Sequence, residues 1–135
     1  MRSVQDITKV AISGLEGSPY TDKVNPPAAK TQSADPITFS GETDRVYQPA
    51  VSAEGDSHKP VVVSEAGQQV VTLLREGLED VVVWNPWSDK SSGMGDFEPK
   101  AGWQNMVCVE AGSVRAWQRL EAGDSWSVSQ TISIE

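Results

Sequence analysis

The chain has 135 residues, with 11 Lys or Arg against 19 Asp or Glu, so its formal net charge is −8. This length suits a single domain that buries a core without disulfide or metal staples. The negative charge disfavours nucleic acid and anionic membranes as partners, because both would repel the chain overall. The apolar runs are too short to span a bilayer, and the first residues lack the apolar stretch of a secretory signal.

The chain contains one cysteine, Cys108, and one histidine, His58. A single cysteine excludes an internal disulfide and fits a reducing compartment, so we expect a cytoplasmic protein. One histidine and one cysteine cannot supply the four ligands of a usual structural zinc site, and we expect neither a metal nor a cofactor. His58 lies beside Lys59 in a polar loop, where a histidine is more often solvent-facing than catalytic.

Strand patterns dominate the chain from end to end. Alternating or β-branched runs predict strands within Thr8–Ser13, Pro36–Ser40, Arg45–Tyr47, Val61–Val63, Glu79–Trp84, Trp103–Glu110, Ser113–Trp117 and Asp124–Ile134. Loops are predicted at about 25–36 and 50–60. Ser91–Phe97 suggests a short helical turn, and Ser64–Leu74 could begin with one, although Gly67 and the β-branched Val70 and Val71 disfavour it. Many short strands indicate an all-β fold, an antiparallel β-sandwich that forms one domain over residues 1–135.

The densest group of chemically useful side chains is the string from Val83 to Lys90 (Val-Trp-Asn-Pro-Trp-Ser-Asp-Lys). A buried strand ends there in a loop, and strand ends that feed loops are common places for binding groups. We interpret the string as part of a site, with Trp84, Asn85 and Lys90 as candidate binding residues. For the tryptophans alone, a plug that closes one end of the sandwich is the slightly favoured alternative.

A second candidate lies in the strand that ends at Gly112. Strict alternation places Met106, Cys108 and Glu110 on one face of that strand. Burying a carboxylate among apolar residues costs free energy unless the carboxylate is paired or has a function. Partial burial would also make Glu110 a workable proton acceptor near neutral pH. A solvent-exposed rim glutamate is an equal alternative. Cys108 is more readily a small core residue than a nucleophile.

Two further strings carry charged groups. Asp44 and Arg45 are adjacent, so a strand would point them to opposite faces; Asp44 could accept sugar hydroxyls or cap a turn. The glycine-punctuated string from Gly14 to Lys23 includes Asp22 but lacks the residue order of a phosphate-binding loop.

Together these strings resemble the C-terminal half of a glucose-6-phosphate 1-epimerase, a hexose-6-phosphate mutarotase of the galactose-mutarotase-like group. The matching strings are Gly14–Lys23, Glu42–Tyr47, Val82–Trp87, Met94–Phe97 and Met106–Gly112. The resemblance implies a β-supersandwich and interconversion of the α and β anomers of a hexose 6-phosphate. It implies that Glu110 is the base on the anomeric hydroxyl, that Asp44 holds substrate hydroxyls, and that Asp22 lies among the substrate-binding residues.

The same resemblance places the acid histidine, which acts on the ring oxygen, and the phosphate-binding arginines in an N-terminal half without a counterpart here. His58 comes too late in the order to replace that histidine, although Lys23, Arg45 and Lys90 could assist with phosphate. We therefore expect this chain alone to be a weak or inactive mutarotase. We also expect it to form a homodimer or to join another chain, because uncovered sheet edges and apolar faces need partners.

Two other functions remain open from the sequence. The tryptophan-rich face could bind carbohydrate or another protein without chemistry, or the chain could be a structural piece whose role is assembly with another chain.

Overall fold

The computed structural model describes residues 2–51 and 58–135. Within them, two antiparallel sheets pack face to face. One sheet has the strand order β1 (Arg2–Ser3), β10 (Met106–Gly112), β9 (Asp80–Asn85), β6 (Thr43–Tyr47), β3 (Pro19–Asp22) and β4 (Ala28–Thr31). The other has the order β11 (Ser129–Ile134), β8 (Gln68–Glu76), β7 (Val61–Glu65), β2 (Val10–Ser13) and β5 (Ile37–Thr38). The predicted antiparallel β-sandwich is confirmed.

The helical elements are short. One α-helix, α1 (Trp87–Gly93), follows β9, and two 3₁₀ helices cover Ile7–Lys9 and Lys100–Asn105.

The core lies between the two sheets and follows from the alternation of the strands. In β9, Val81 and Val83 are fully buried, and in β8, Val71 and Leu73 point inward toward them. Burying one such side chain contributes about 1.5–3 kcal/mol to folding. The alternation that predicted these strands is therefore also what closes the sandwich.

Several predicted boundaries are wrong. The predicted loop at 25–36 contains β4, a fully exposed edge strand that pairs with β3 and has no apolar alternation to reveal it. The predicted strand within Trp103–Glu110 begins only at Met106, because a 3₁₀ helix precedes it. In the predicted loop at 50–60, residues 52–57 lie outside the described part of the chain, and the described remainder forms no strand.

The predicted strand at Ser113–Trp117 is also wrong, and a carboxylate explains why. Asp80 accepts hydrogen bonds from the backbone N–H groups of Val114 (2.7 Å) and Arg115 (3.0 Å) and from the Arg115 guanidinium. These backbone groups are satisfied by a side chain rather than by a neighbouring strand. The Asp80 side chain thereby attaches the segment after β10 to the start of β9.

The protonation of Asp80 follows from these contacts. Desolvation is the largest single influence on its carboxyl and acts to raise the pKa, but the hydrogen bonds and the charge of Arg115 together outweigh it. The pKa of Asp80 is therefore lowered from its ordinary value of 3.8. A carboxyl group with a lowered pKa in the folded state stabilises the fold above the unfolded pKa, and this contribution is lost as the pH falls through the folded value.

We predict that Asp80→Asn lowers the free energy of unfolding by about 1–3 kcal/mol at pH 7, the cost of removing a buried charged acceptor from its three donors. The difference from the parent chain should shrink as the pH falls below about 4, because the parent then loses the same charge. Urea unfolding followed by circular dichroism at several pH values measures this. The control is Asp35→Asn, which removes the charge of an exposed carboxylate. An equal effect of both substitutions would contradict the stabilising role of Asp80.

Candidate functional site

The register of three adjacent strands brings candidate residues to one face of the six-stranded sheet. Trp84 of β9 lies directly opposite Cys108 of β10 and Asp44 of β6. Directly paired residues of antiparallel strands project to the same face. The next row, two residues along, contains Glu110, Val82, Val46 and Thr21. We call the face formed by these two rows the site face.

The site face points away from the core. The alternate residues Val81, Val83 and Val107 are fully buried between the sheets, so the rows with Trp84 and Glu110 lie on the outer side. Strands are about 4.8 Å apart and residues rise about 3.3 Å, which puts the Cα atoms of Glu110 and Asp44 roughly 12 Å apart. Their side chains extend from a common surface of the sheet, on which Trp84 and Val82 of the central strand β9 lie between them.

Exposure differs among the three candidates on this face. Trp84 and Asp44 are partly exposed, whereas Glu110 is exposed. The partial burial expected at Glu110 is therefore absent, although Cys108 and Val46 on the same face are buried. A ligand can therefore reach the Glu110 carboxylate directly from solvent.

Cys108 is buried on the site face between Met106 and Glu110. Burial raises the pKa of its thiol, and the neighbouring charge of Glu110 adds to the increase. A neutral thiol is a poor nucleophile, so the prediction that Cys108 packs rather than reacts agrees with its surroundings.

Asp22 belongs to the opposite face and is paired. It lies across from Arg45 in the register, and its carboxylate accepts hydrogen bonds from Lys30 Nζ (2.7 Å) and from the Val24 N–H (3.0 Å). Desolvation is the largest influence and raises the pKa of Asp22, but these hydrogen bonds and the charges of Lys30 and Arg45 lower it overall. The structure therefore does not bring Asp22 together with Glu110, and its oxygens are occupied by an ion pair.

Arg45 is also directed away from the site face. Its guanidinium lies 5.1 Å from the centre of the Tyr20 ring and donates to the Tyr47 hydroxyl at 3.2 Å. The prediction that Asp44 and Arg45 project to opposite faces is confirmed by their pairing with Trp84 and Val83. The suggested phosphate contact of Arg45 is consequently excluded for the site face.

Asn85 is a structural connector rather than a surface binding group. It is fully buried, and its Nδ2 donates to the carbonyl oxygens of Trp103 (2.8 Å) and Met106 (2.9 Å). Its Oδ1 accepts from the Trp87 N–H at 2.9 Å. Trp87 has a φ of 58°, a strained conformation for a bulky residue, and this hydrogen bond helps to hold it. The amide thus joins the end of β9 to α1 and to the start of β10.

The tryptophans of the Trp-Asn-Pro-Trp string divide between two roles. The rings of Trp87 and Trp103 lie 4.5 Å apart at 41° and pack against the core. We call this pair the plug. The alternative interpretation expected the two tryptophans of the string to form it, but the partner of Trp87 is Trp103 and not Trp84. Trp84 is separate from it and stays on the site face.

Two lysines lie near Asp44. Lys90, on α1, forms an ion pair with Glu42 at 3.2 Å, and Glu42 precedes β6 by one residue. The backbone N–H of Lys23 donates to the Asp44 carbonyl oxygen at 2.7 Å, and the Lys23 side chain is exposed. Sequence reasoning identified both lysines but missed the adjacent Thr21 and Val82, which only the strand register reveals.

His58 is not near Glu110. It is 8% exposed, which corrects the expectation of a solvent-facing loop histidine, and it shares a cavity with Arg75 against the five-stranded sheet. The 135 residues therefore place no histidine on the site face. Among residues 2–51 and 58–135, no group of three His, Cys, Asp or Glu side chains could hold a metal ion.

Comparison with known proteins places this arrangement in context. The chain matches the aldose 1-epimerase family over residues 3–133. A protein of Cenchrus ciliaris, named "putative glucose-6-phosphate 1-epimerase", is 36% identical over 123 residues, which are 91% of this chain and 35% of that protein. A protein of the same name from Escherichia coli K12 is 32% identical over 132 residues, or 98% of this chain and 42% of its own length.

A solved structure agrees. The crystal structure of a "putative mutarotase" from Salmonella typhimurium superposes with a TM-score of 0.66 at 32% identity, covering 81% of this chain and 34% of that one. The present chain therefore spans from about a third to about two-fifths of the length of these relatives.

The connector role of Asn85 is testable. We predict that Asn85→Ala lowers the free energy of unfolding by about 2–4 kcal/mol, because it leaves buried carbonyl and N–H groups without partners. The matched control is Asn105→Ala, since Asn105 makes one exposed hydrogen bond to the Gln5 carbonyl oxygen. Urea unfolding followed by tryptophan fluorescence compares the two, and equal losses would show that Asn85 is not a connector.

Proposed function

Because the chain belongs to the aldose 1-epimerase family, we propose that its site face binds a hexose 6-phosphate and that Glu110 is the base in the interconversion of its anomers. The observation that carries the proposal is the strand register, which sets Glu110, Trp84 and Asp44 on one outer face. The finer assignment to glucose 6-phosphate is supported by the names of the relatives, which are called putative glucose-6-phosphate 1-epimerases.

Each of the three residues has a distinct part in this proposal. The Glu110 carboxylate accepts the proton of the anomeric hydroxyl, the C1–O5 bond breaks, and O5 takes a proton from an acid. After rotation about the C1–C2 bond, the ring closes on the other face of C1. The Asp44 carboxylate accepts hydrogen bonds from sugar hydroxyls, while the Trp84 indole offers a flat apolar surface to the C–H groups of the ring.

The acid that serves O5 must come from elsewhere. The single histidine of these 135 residues lies against the other sheet, so for this chain alone the acid is water or a group from a second polypeptide. Losing one member of a general acid–base pair lowers the rate by about 10²–10⁴. Phosphate is also held weakly, because the Arg45 side chain points away from the site face and Lys90 is paired with Glu42. We therefore propose weak activity for the chain by itself.

A non-catalytic sugar-binding module is the second candidate. The observation that favours it is the exposure of Glu110, since a carboxylate in open solvent gains nothing from burial as a base. Sugar binding without anomer exchange would decide for this candidate.

We predict saturable acceleration of anomer exchange in glucose 6-phosphate, measured by NMR magnetisation transfer between the α and β C1 signals. Glu110→Gln should reduce this acceleration at least about a hundredfold, because the amide cannot accept the proton. Glu121→Gln, an exposed glutamate outside the sheets, is the matched control and should leave it intact. Exchange that persists in Glu110→Gln would remove Glu110 from the mechanism.

We further propose that a second copy of the chain covers the open edge of the sandwich at β11. Ile132 and Ile134 of β11 lie opposite the inward-facing Leu73 and Val71, yet they are 59% and 68% exposed. They line a cavity of about 210 Å³ between the sheets together with Arg2, Val63, Val71, Leu73 and Val109. An apolar surface of this kind at a sheet edge is typical of an interaction site.

The chemistry of β11 favours a second copy as the partner. β11 is the last strand of its sheet, so one of its edges is unpaired among the described residues. Its sequence, Ser-Gln-Thr-Ile-Ser-Ile, has no charge, so two copies can meet there despite a net charge of −8 on each. Antiparallel pairing of β11 with itself across a two-fold axis would join the sheets of two protomers.

We predict a dimer by size-exclusion chromatography with light scattering, dissociated by Ile132→Asp, which places a charge in the apolar contact. Thr38→Asp, on the opposite edge strand β5, is the control and should leave the dimer unchanged. A monomer at every concentration would contradict pairing with a second copy.

We propose the cytoplasm as the compartment of this protein, since Cys108 is an unpaired thiol and free thiols persist under reducing conditions. Among the residues that the structure describes, no helix is long and apolar enough to cross a membrane.

A further inference from the structure

An arginine on an edge strand is directed into the interior of the sandwich. Arg2 of β1 lies directly opposite Val107 of β10, and directly paired residues of antiparallel strands project to the same face. Val107 is fully buried between the sheets, so Arg2 projects inward, as does Val109 two residues along β10. The Arg2 Nε is buried and has no hydrogen-bond partner in the described part of the chain. A buried donor without a partner costs free energy, which an added acceptor would recover.

Arg2 lines a cavity of about 210 Å³ between the two sheets. β1 and β11 are edge strands of their respective sheets, and both contribute to this cavity, so it lies at the edge of the sandwich. The other lining residues are all apolar: Val63, Val71, Leu73, Val109, Ile132 and Ile134.

The strand register directs the side chains of the five-stranded sheet toward the same interior space. Val63 of β7 and Ile134 of β11 are both paired with the buried Val71, and Ile132 is paired with the buried Leu73. These side chains therefore share the inward face of their sheet and lie across the cavity from the inward face that carries Arg2.

The charge of this cavity is as distinctive as its shape. Among the described residues that line it, Arg2 alone has a polar side chain and none has a carboxylate. One positive group beside an apolar cavity is complementary to a ligand with one negative group and an apolar body. An apolar cavity of about 150 Å³ takes one benzene molecule, so this one suits an apolar chain of about six carbon atoms.

We propose that this cavity binds a short-chain alkyl carboxylate, with hexanoate as the representative ligand. The Arg2 guanidinium donates hydrogen bonds to the two carboxylate oxygens, and the alkyl chain packs against Leu73 and Val109. The cavity shares no residue with the site face, so the inference goes beyond the proposed anomer exchange and does not depend on it. The proposed dimer uses the free backbone edge of β11 and the ligand its inward side, so both can be present together.

The test titrates the full chain with hexanoate at pH 7, with sodium chloride of equal ionic strength as the reference. The readout is the ¹H–¹³C NMR spectrum of the methyl groups. The signals of Leu73 and Val109 should shift saturably, whereas those of Leu15, a buried leucine that does not line the cavity, should stay in place. The absence of a saturable shift at Leu73 and Val109 would overturn the proposal.

Two related ligands separate the contribution of the charge from that of the chain. Hexanol has the chain without the charge, so it should bind at least about tenfold more weakly than hexanoate, the size of one lost charge-assisted hydrogen bond. Acetate has the charge without the chain and should give no saturable shift over the same concentrations. Equal binding of hexanoate and hexanol would show that the guanidinium does not hold the carboxylate, and the assignment would be wrong.

Variants locate the binding. Arg2→Gln should weaken hexanoate binding at least about tenfold and leave hexanol binding unchanged, whereas Arg119→Gln, at an exposed arginine, should alter neither. Val109→Phe fills part of the cavity and should weaken the binding of both ligands. Unchanged hexanoate binding in Arg2→Gln would reject the site. Circular dichroism checks folding, and if a variant fails to fold, the comparison of hexanoate with hexanol on the parent chain decides.

Two further arms separate this site from the other proposals. Glu110→Gln should bind hexanoate as the parent does, so a failure of the proposed mutarotase activity leaves this result standing. Light scattering with and without hexanoate follows the proposed dimer independently. A dimer that binds no hexanoate would overturn this inference alone, and hexanoate binding by a monomer would support it while contradicting the dimer.

Discussion

The hydrogen-bonded register across β10, β9 and β6 is the constraint on which the rest of this structure depends. It pairs Cys108 with Trp84 and Trp84 with Asp44, and it thereby decides which side chains meet the core and which meet a ligand. Because side chains alternate with a period of two, a slip of one residue would exchange Trp84 for Asn85 on the outer face. The buried Val81 and Val83 make such a slip costly, since it would expose them.

Buried polar groups secure this register at both ends of β9. At its start, the Asp80 carboxylate binds the segment after β10, because it accepts hydrogen bonds from the backbone N–H groups of Val114 and Arg115 and from the Arg115 guanidinium. At its end, Asn85 joins β9 to β10 and to α1. A fully satisfied polar group fixes one arrangement of its partners more sharply than apolar packing does. By this criterion Arg75 is an exception, because its Nη2 is buried without a hydrogen-bond partner among the described residues.

Much of the fold was predictable because alternation and burial are local properties of the sequence. The opposite orientation of Asp44 and Arg45 and the buried strand around Val83 both followed from a period of two. The edge strand β4 was not predictable, because an exposed strand carries no apolar pattern. The segment Ser113–Trp117 misled the prediction in another way: its apolar residues alternate, yet Asp80 rather than a neighbouring strand binds the backbone at Val114.

The candidate site was predictable only in part. Glu110, Trp84 and Asp44 were identified as residues, but their common face depends on pairings between strands far apart in the sequence. The role of Asn85 could not be read from its string, because its acceptors lie 18 and 21 residues further along the chain. Asp22 was predicted to bind substrate, but its carboxylate forms an ion pair with Lys30 of the adjacent edge strand β4. The sequence around Asp22 does not reveal this partner.

The measurement that most directly tests the site face is a ¹H–¹⁵N NMR titration of the chain with glucose 6-phosphate. Binding at the site face predicts saturable shifts of the Trp84 indole N–H and of the backbone amides of Thr21 and Val82, which share that face. The indole signals of Trp87 and Trp103, which form the plug at the end of the sandwich, should stay in place. Saturable shifts at Trp87 and Trp103 with none at Trp84 would contradict it.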